Sequence, residues 1–300
     1  MKIFVTKKVP FWDEEVKPLV DAGHEVKFGK LEELDESYAG LLCLLTDKIT
    51  EPVLVKGKNL KVIANYAVGF DNIDVAACKA RNIAVTNTPS DAVNESVAEM
   101  AWTLMLALSR RLGEASQFMR NAAYHGWEPD IFIGQDLKGK TLGIVGMGRI
   151  GTMVAKRAAG FEMKVISFSR TGSLKLEEVL AQSDYVTLHV PLTTETTHLI
   201  NGQNLPLFKK KAYLVNTARG PIVDEAEVAE ALRAGWLAGY AADVLENEPY
   251  AQPELLQMEN VILTPHIASA TATARRDMTK IAVTNLAAAL AGQKPPNQVE

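Results

Sequence analysis

The chain has 300 residues, 47% of them hydrophobic and 23% charged, with a formal net charge of −4. This balance suits a soluble globular protein of two domains, and its slight acidity argues against a nucleic acid or an anionic membrane as partner. Two distant cysteines, Cys43 and Cys78, give neither a disulfide framework nor a metal-binding spacing. No run approaches the ~18 apolar residues of a membrane span. MKIFVTKKVP is interrupted by Lys7 and Lys8 too early for a secretory signal. The expectation is a reduced, cytoplasmic protein that holds no metal.

In chain order, KIFVT, HEVKFG, GLLCLLT, LKVIANYA and IAVTNTP are short, rich in β-branched residues and followed by turn residues. They predict strands, and the helix-like stretches between them predict βαβ units and a parallel sheet. NESVAEMAWTLMLALSRR, residues 94–111, predicts a helix capped by Asn94 or Ser96, with Arg110 and Arg111 in its last turn. It is apolar nearly all round, which predicts a buried helix between domains. Six more strand candidates follow: TLGIVGMG, KVISFSR, DYVTLHVP, AYLVNTARG, GYAADVL and VILTPH. Six parallel strands fit a doubly wound dinucleotide-binding sheet. A long helix in ASATATARRDMTKIAVTNLAAALAG ends at Gly292, before a Pro-rich tail.

GIVGMGRIG places Gly146, Gly148 and Gly151 in G-x-G-x-x-G spacing between a predicted strand and a predicted helix. In that context Gly146 makes the tight turn, Gly148 lets the backbone approach a pyrophosphate, and Gly151 lets the helix pack on the sheet. The helix N-terminus then offers free N–H groups and its dipole to the phosphates.

The next strand ends in Ser169, Arg170 and Thr171, where an acid would accept from the 2′-OH of NAD. A guanidinium and two hydroxyls suit a 2′-phosphate instead, so the expected cofactor is NADP, with NAD possible.

Three later strands end in polar residues that would face a cleft: LVNTARG with Arg219, ADVLENEP with Asp243 and Glu248, and LTPHIAS with His266. These motifs, with NYAVGFDNID, GIVGMGRIG and HVPLTTETTHLIN, resemble the D-isomer-specific 2-hydroxyacid dehydrogenase family in order and over almost the whole chain. The resemblance implies an α/β fold of two doubly wound parallel-sheet domains. A flavodoxin-like substrate domain, residues 1–94 and 271–300, would face a Rossmann cofactor domain, residues 95–270, across a cleft that closes about a hinge.

It also implies roles. Arg219 would clamp the substrate carboxylate and keto oxygen. His266 would be the general acid. Glu248 would hold the other imidazole nitrogen, with Glu246 its nearest rival. Asp243 would hold the nicotinamide carboxamide. Arg149, Ile150, Val190, Pro191, Thr217 and Ala218 complete the implied cofactor contacts. Ala67, Val68 and Gly69 would offer backbone N–H groups to the substrate. His24, His125, His189 and His198 read as structural or surface residues.

For substrate, phosphoglycerate dehydrogenases carry an arginine where Leu44 stands, and many add a regulatory domain that this chain would lack. Leu45 matches an apolar contact of glyoxylate and hydroxypyruvate reductases. Trp127 stands in a loop from which the reductases send a tryptophan to the partner subunit's site; packing in a dimer interface is the other reading. SDAVNESVAE, residues 90–99, is as similar to the phosphoglycerate branch. The resulting expectation is a homodimeric reductase of glyoxylate or hydroxypyruvate that prefers NADPH and forms the D-2-hydroxy acid. Phosphoglycerate or another 2-hydroxy acid is the alternative substrate, and an NAD(H)-binding corepressor-like scaffold is the alternative class.

Overall fold

The computed structural model describes residues 1–299. The chain divides into two units, Met1–Val93 with Ala270–Glu300, and Asn94–Ser269.

The first unit is built on five strands: β1 (Lys2–Val5), β2 (Glu25–Phe28), β3 (Tyr38–Cys43), β4 (Val62–Asn65) and β5 (Ala84–Thr86). All pair in parallel, in the order β2-β1-β3-β4-β5. This is a flavodoxin-like order, reversing direction between β1 and β3. Phe4, Leu41, Ile63 and Val85 meet Leu54 and Cys78 in one core. The helix Ala272–Leu290 returns to cover this sheet. It packs close at Gly40, where a Cβ would lie 3.3 Å from Leu286 Cδ2. Thr271 caps the helix by accepting from Ala274 N, and Gly292 ends it with φ +76°.

The second unit has six strands: β6 (Thr141–Val145), β7 (Lys164–Phe168), β8 (Tyr185–Leu188), β9 (Ala212–Asn216), β10 (Leu237–Ala242) and β11 (Val261–Leu263). They too are all parallel, in the order β11-β10-β9-β8-β6-β7, so the order reverses between β6 and β8. Side chains alternate between two covered faces. Val145, Leu214 and Ala242 enter one core with Leu180 and Val228, while Ile144, Val215 and Ala241 enter another with Met105 and Val154. Burial on both faces explains why these strands read as continuous apolar runs. Each fully buried Leu or Val contributes about 2 kcal/mol.

The helix predicted over 94–111 is Asp91–Ser109. Its first turn is capped by Ser90, whose Oγ accepts from Val93 N at 3.1 Å. Asn94 and Ser96 are not caps but buried interior residues, and Ser96 Oγ donates to Ala268 O at 2.6 Å. Arg110 and Arg111 fall beyond the last turn, because Arg111 turns into the left-handed region at φ 49° and starts the helix Leu112–Arg120. Among the described residues no helix is long and apolar enough to cross a membrane.

Candidate functional site

In the second unit the candidate residues stand at the carboxyl ends of β6 to β11, where open parallel sheets bind ligands. β6 runs into Gly146 at φ +103°, and a Cβ there would lie 2.7 Å from the His189 carbonyl carbon and oxygen. A Cβ on Gly151, in the first turn of the helix Arg149–Ala158, would lie 2.1 Å from Gly146 O. Gly148 differs: a Cβ there meets nothing within 4 Å, so its front is open. Gly148 is the N-cap and makes no side-chain cap, which leaves the N–H groups of the first turn, at Arg149 and Ile150, directed to that opening. Val190 and Pro191 continue from β8 beside Gly146. Thr217 is buried, with an Oγ1 that has no partner among the described residues. A cradle open at Gly148, a bare helix N-terminus and an orphaned hydroxyl fit a dinucleotide.

Ser169, Arg170 and Thr171 leave β7 next to this loop. Val145 pairs with Phe168, and Gly146 N donates to Phe168 O at 2.8 Å. Arg170 and Thr171 are exposed. The Thr193 hydroxyl holds the exposed Glu195 carboxyl below its ordinary value, and the Arg170 guanidinium adds to the effect.

The three candidates for chemistry come from three loops. Arg219 follows β9. Asn216, fully buried at the strand end, accepts from Ala218 N at 3.0 Å and donates to Arg219 O at 2.9 Å. Arg219 Nη1 donates to Ala218 O at 2.8 Å. The next residue brings this loop against the one after β10: a Cβ on Gly220 would lie 1.8 Å from Leu245 O. No other residue type fits that approach.

Glu248 sits on that second loop and His266 on the loop after β11. His266 Nδ1 is 3.1 Å from both Glu248 oxygens, which leaves Nε2 to face outward. Burial alone pushes the Glu248 carboxyl up. The His266 hydrogen bond and charge outweigh it, with help from Leu245 N–H and Arg219, and hold the group below its ordinary value.

His266 has φ 55°, a strained conformation for a non-glycine residue. Asp243 maintains it. Asp243 O accepts from His266 N at 2.8 Å, Oδ1 accepts from Thr264 Oγ1 at 2.6 Å and Ile267 N at 2.8 Å, and Oδ2 accepts from Ala268 N at 2.7 Å. Asp243, expected at a carboxamide, is thus fully buried and engaged with the His266 loop. Asn216, Gly220 and Thr264 are the positions that sequence reasoning missed. A polar residue ending an apolar strand was the available signal for Asn216.

His198, read as structural or surface, has its Nε2 2.6 Å from Glu246 Oε1. His189 bonds Thr187 Oγ1 at 3.0 Å, and burial pushes its pKa down to about 4.

In the first unit, Leu45 follows β3 and is half-buried. The loop after β4 turns three successive carbonyls inward: Ala67 O accepts from Thr88 N, Val68 O from Asn87 Nδ2 and Gly69 O from Asn65 Nδ2. Trp127 is 81% exposed on its loop in the second unit, where Ile133, Met119 and Leu112 are exposed as well.

Comparison with known proteins decides the family. The model of the D-isomer specific 2-hydroxyacid dehydrogenase NAD-binding domain matches residues 102–268. The chain belongs to the D-isomer specific 2-hydroxyacid dehydrogenase family. A glyoxylate reductase of Thermococcus litoralis is 43% identical, over 99% of this chain and 96% of that protein. Among solved structures, the TT0316 protein of Thermus thermophilus is 40% identical with a TM-score of 0.94, covering 100% of both chains. D-lactate dehydrogenase from Aquifex aeolicus, complexed with NAD and lactic acid, is 30% identical with a TM-score of 0.87, over 100% of this chain and 99% of that one. Like other 2-hydroxyacid dehydrogenases, this chain is an oxidoreductase that uses a nicotinamide dinucleotide and a small keto or hydroxy acid.

Proposed function

We propose that this protein reduces glyoxylate to its hydroxy acid, takes hydroxypyruvate as a second substrate, and prefers NADPH to NADH. The observation that carries the reading is the His266–Glu248 pair, held at 3.1 Å on the sheet that also presents Arg219 and the glycine cradle. The 43% identity to a glyoxylate reductase supports the choice of keto acid.

When bound, the reduced nicotinamide supplies the hydride. Gly148 and the first-turn N–H groups at Arg149 and Ile150 would hold its pyrophosphate, with Gly146 shaping the turn and Gly151 the helix contact behind it. Val190, Pro191, Thr217 and Ala218 would line the rest of the cofactor. Ser169, Arg170 and Thr171 take the 2′-phosphate, where a fork of charged donors favours an anion.

Arg219 binds the carboxylate and keto oxygen of the substrate, with further donors from the Val68 and Gly69 N–H groups. His266 gives its Nε2 proton to the keto oxygen as the carbonyl carbon is reduced. Glu248 holds Nδ1 and so fixes the imidazole tautomer, leaving Nε2 to carry the proton that is given up. Asp243 holds the His266 loop. A D-configured product from longer keto acids follows from membership of the family. Leu44 offers no charge to a substrate phosphate, and Leu45 supplies an apolar contact.

The protein works as a cytoplasmic homodimer. Leu112, Met119, Trp127 and Ile133 are exposed large apolar residues of the second unit that a second copy would cover. The test is steady-state oxidation of NADPH and NADH in parallel, with glyoxylate and then hydroxypyruvate. Turnover of about 1–10³ per second with NADPH supports the reading. A preference for NADH refutes the role given to Arg170. Silence with every keto acid refutes the activity.

A further inference from the structure

The structure contains a second imidazole–carboxylate pair, on the loop that carries Glu248. Glu246 lies two residues before Glu248, and both of its oxygens are held. Oε1 meets His198 Nε2 at 2.6 Å, and Oε2 accepts from Glu225 N at 3.2 Å, at the start of the helix Glu225–Arg233. A carboxylate at a helix N-terminus with an imidazole donor is well stabilised there.

His198 is itself immobilised. Its backbone sits at φ 48°, its N donates to Pro221 O at 2.8 Å, and its O accepts from Asn201 Nδ2 at 2.8 Å. The strand-like contact continues: Ile200 N donates to Ile222 O at 3.1 Å, and Asp224 N donates to Ile200 O at 2.9 Å. Asp224 Oδ2 lies 3.8 Å from His198 Nδ1, so the ring stands between two carboxylates.

Three loops are therefore joined around one ring. The segment 198–200 is zipped to 221–224, which follows Arg219. Gly220 touches the backbone of Leu245 and Glu246. The His198–Glu246 contact is the side-chain link that closes the set onto the loop of Glu248. Without His198, Glu246 would keep only the Glu225 N–H, beside the buried Glu225 carboxyl and near Glu248, whose charges already act on Glu225. Repulsion between the Glu246 and Glu248 carboxylates would open the loop and carry Glu248 with it.

We propose that His198 and Glu246 are positioning residues, a brace that fixes the Glu248 loop so that its carboxylate faces His266. This inference rests on the roles given above to Arg219, Glu248 and His266. It assigns no contact with substrate to either residue.

The experiment pairs hydrogen-exchange mass spectrometry of the full chain with kinetics on glyoxylate and NADPH. His198→Ala is expected to speed exchange across residues 244–250 while leaving 141–168 unchanged. It should lower kcat about tenfold at nearly constant KM, and His198→Gln, whose amide can still donate to Glu246, should recover most of that loss. The deciding step is a cycle with Glu248→Gln. If the brace acts only through Glu248, His198→Ala costs less than about twofold in that background. An equal loss in both backgrounds, or unchanged exchange in 244–250, overturns the proposal. If the parent protein does not turn over glyoxylate, the substrate reading fails, and the exchange result still decides the brace.

Discussion

Glu225 is a buried acid whose titration follows from its surroundings. It is 2% exposed, and its Oε1 has no hydrogen-bond partner among the described residues. Burial pushes its carboxyl from the ordinary 4.5 up to about 7. The nearby Glu246 and Glu248 carboxylates add to the rise, and backbone N–H groups of Glu246 and Gln252 oppose it. Between pH 4.5 and about 7 the folded chain keeps a proton that the unfolded chain has released. The stability contributed by this group is therefore full below pH 4.5, falls as the pH rises to about 7, and is flat above. At 1.36 kcal/mol for each pH unit, the loss is about 3 kcal/mol. Glu225→Gln keeps the shape and cannot ionise. Relative to the parent it should gain about 3 kcal/mol of stability between pH 4.5 and pH 8. Urea unfolding followed by tryptophan fluorescence measures this, since Trp102, Trp127 and Trp236 all lie in the unit that holds Glu225. Stability differences that stay constant across that pH range would refute the reasoning.

Other outcomes follow from the same geometry. His266→Ala should lower kcat by about a hundredfold or more, with NADPH affinity by fluorescence titration unchanged. Ser169→Asp combined with Arg170→Ala should reverse the cofactor preference, read as the ratio of kcat/KM for NADPH and NADH. Gly220→Ala would put a Cβ 1.8 Å from Leu245 O, so the loops of Arg219 and Glu248 must separate. Thermal melts should show a loss of several kcal/mol, and turnover should fall with it. Asp243→Asn replaces one acceptor oxygen by a donor facing backbone N–H groups. Turnover should fall while the glycine loop still binds cofactor, and an unchanged kcat would show that the His266 loop holds itself.

Much of the fold was legible because its signals are local. The eleven strand candidates were short apolar runs between turn residues, and each is a strand. Gly146 and Gly151 were legible because a turn and a close helix contact admit only glycine. The start of the helix Asp91–Ser109 was misread because Asn94 and Ser96 have the chemistry of caps. In the fold both are buried, and the Ser96 hydroxyl bonds a carbonyl 172 residues away, which no local pattern records.

The candidate site divides in the same way. Residue type alone marked Arg219 and His266, since polar groups at the ends of apolar strands stand out against the run before them; the resemblance chose Glu248 over Glu246. Partner choice lay outside residue type. Glu246 and Glu248 are the same residue two positions apart, yet one meets a histidine 48 residues upstream and the other a histidine 18 residues downstream. The sequence by itself determined which segments become strands, where the glycines must stand and which family the motifs resemble. Only in the folded chain does it emerge that Glu246 meets His198, that Gly220 brings two loops together and that Asp243 holds a strained histidine. Strand period and turn chemistry act over a few residues, whereas these contacts exist only once the sheet has set its strands side by side.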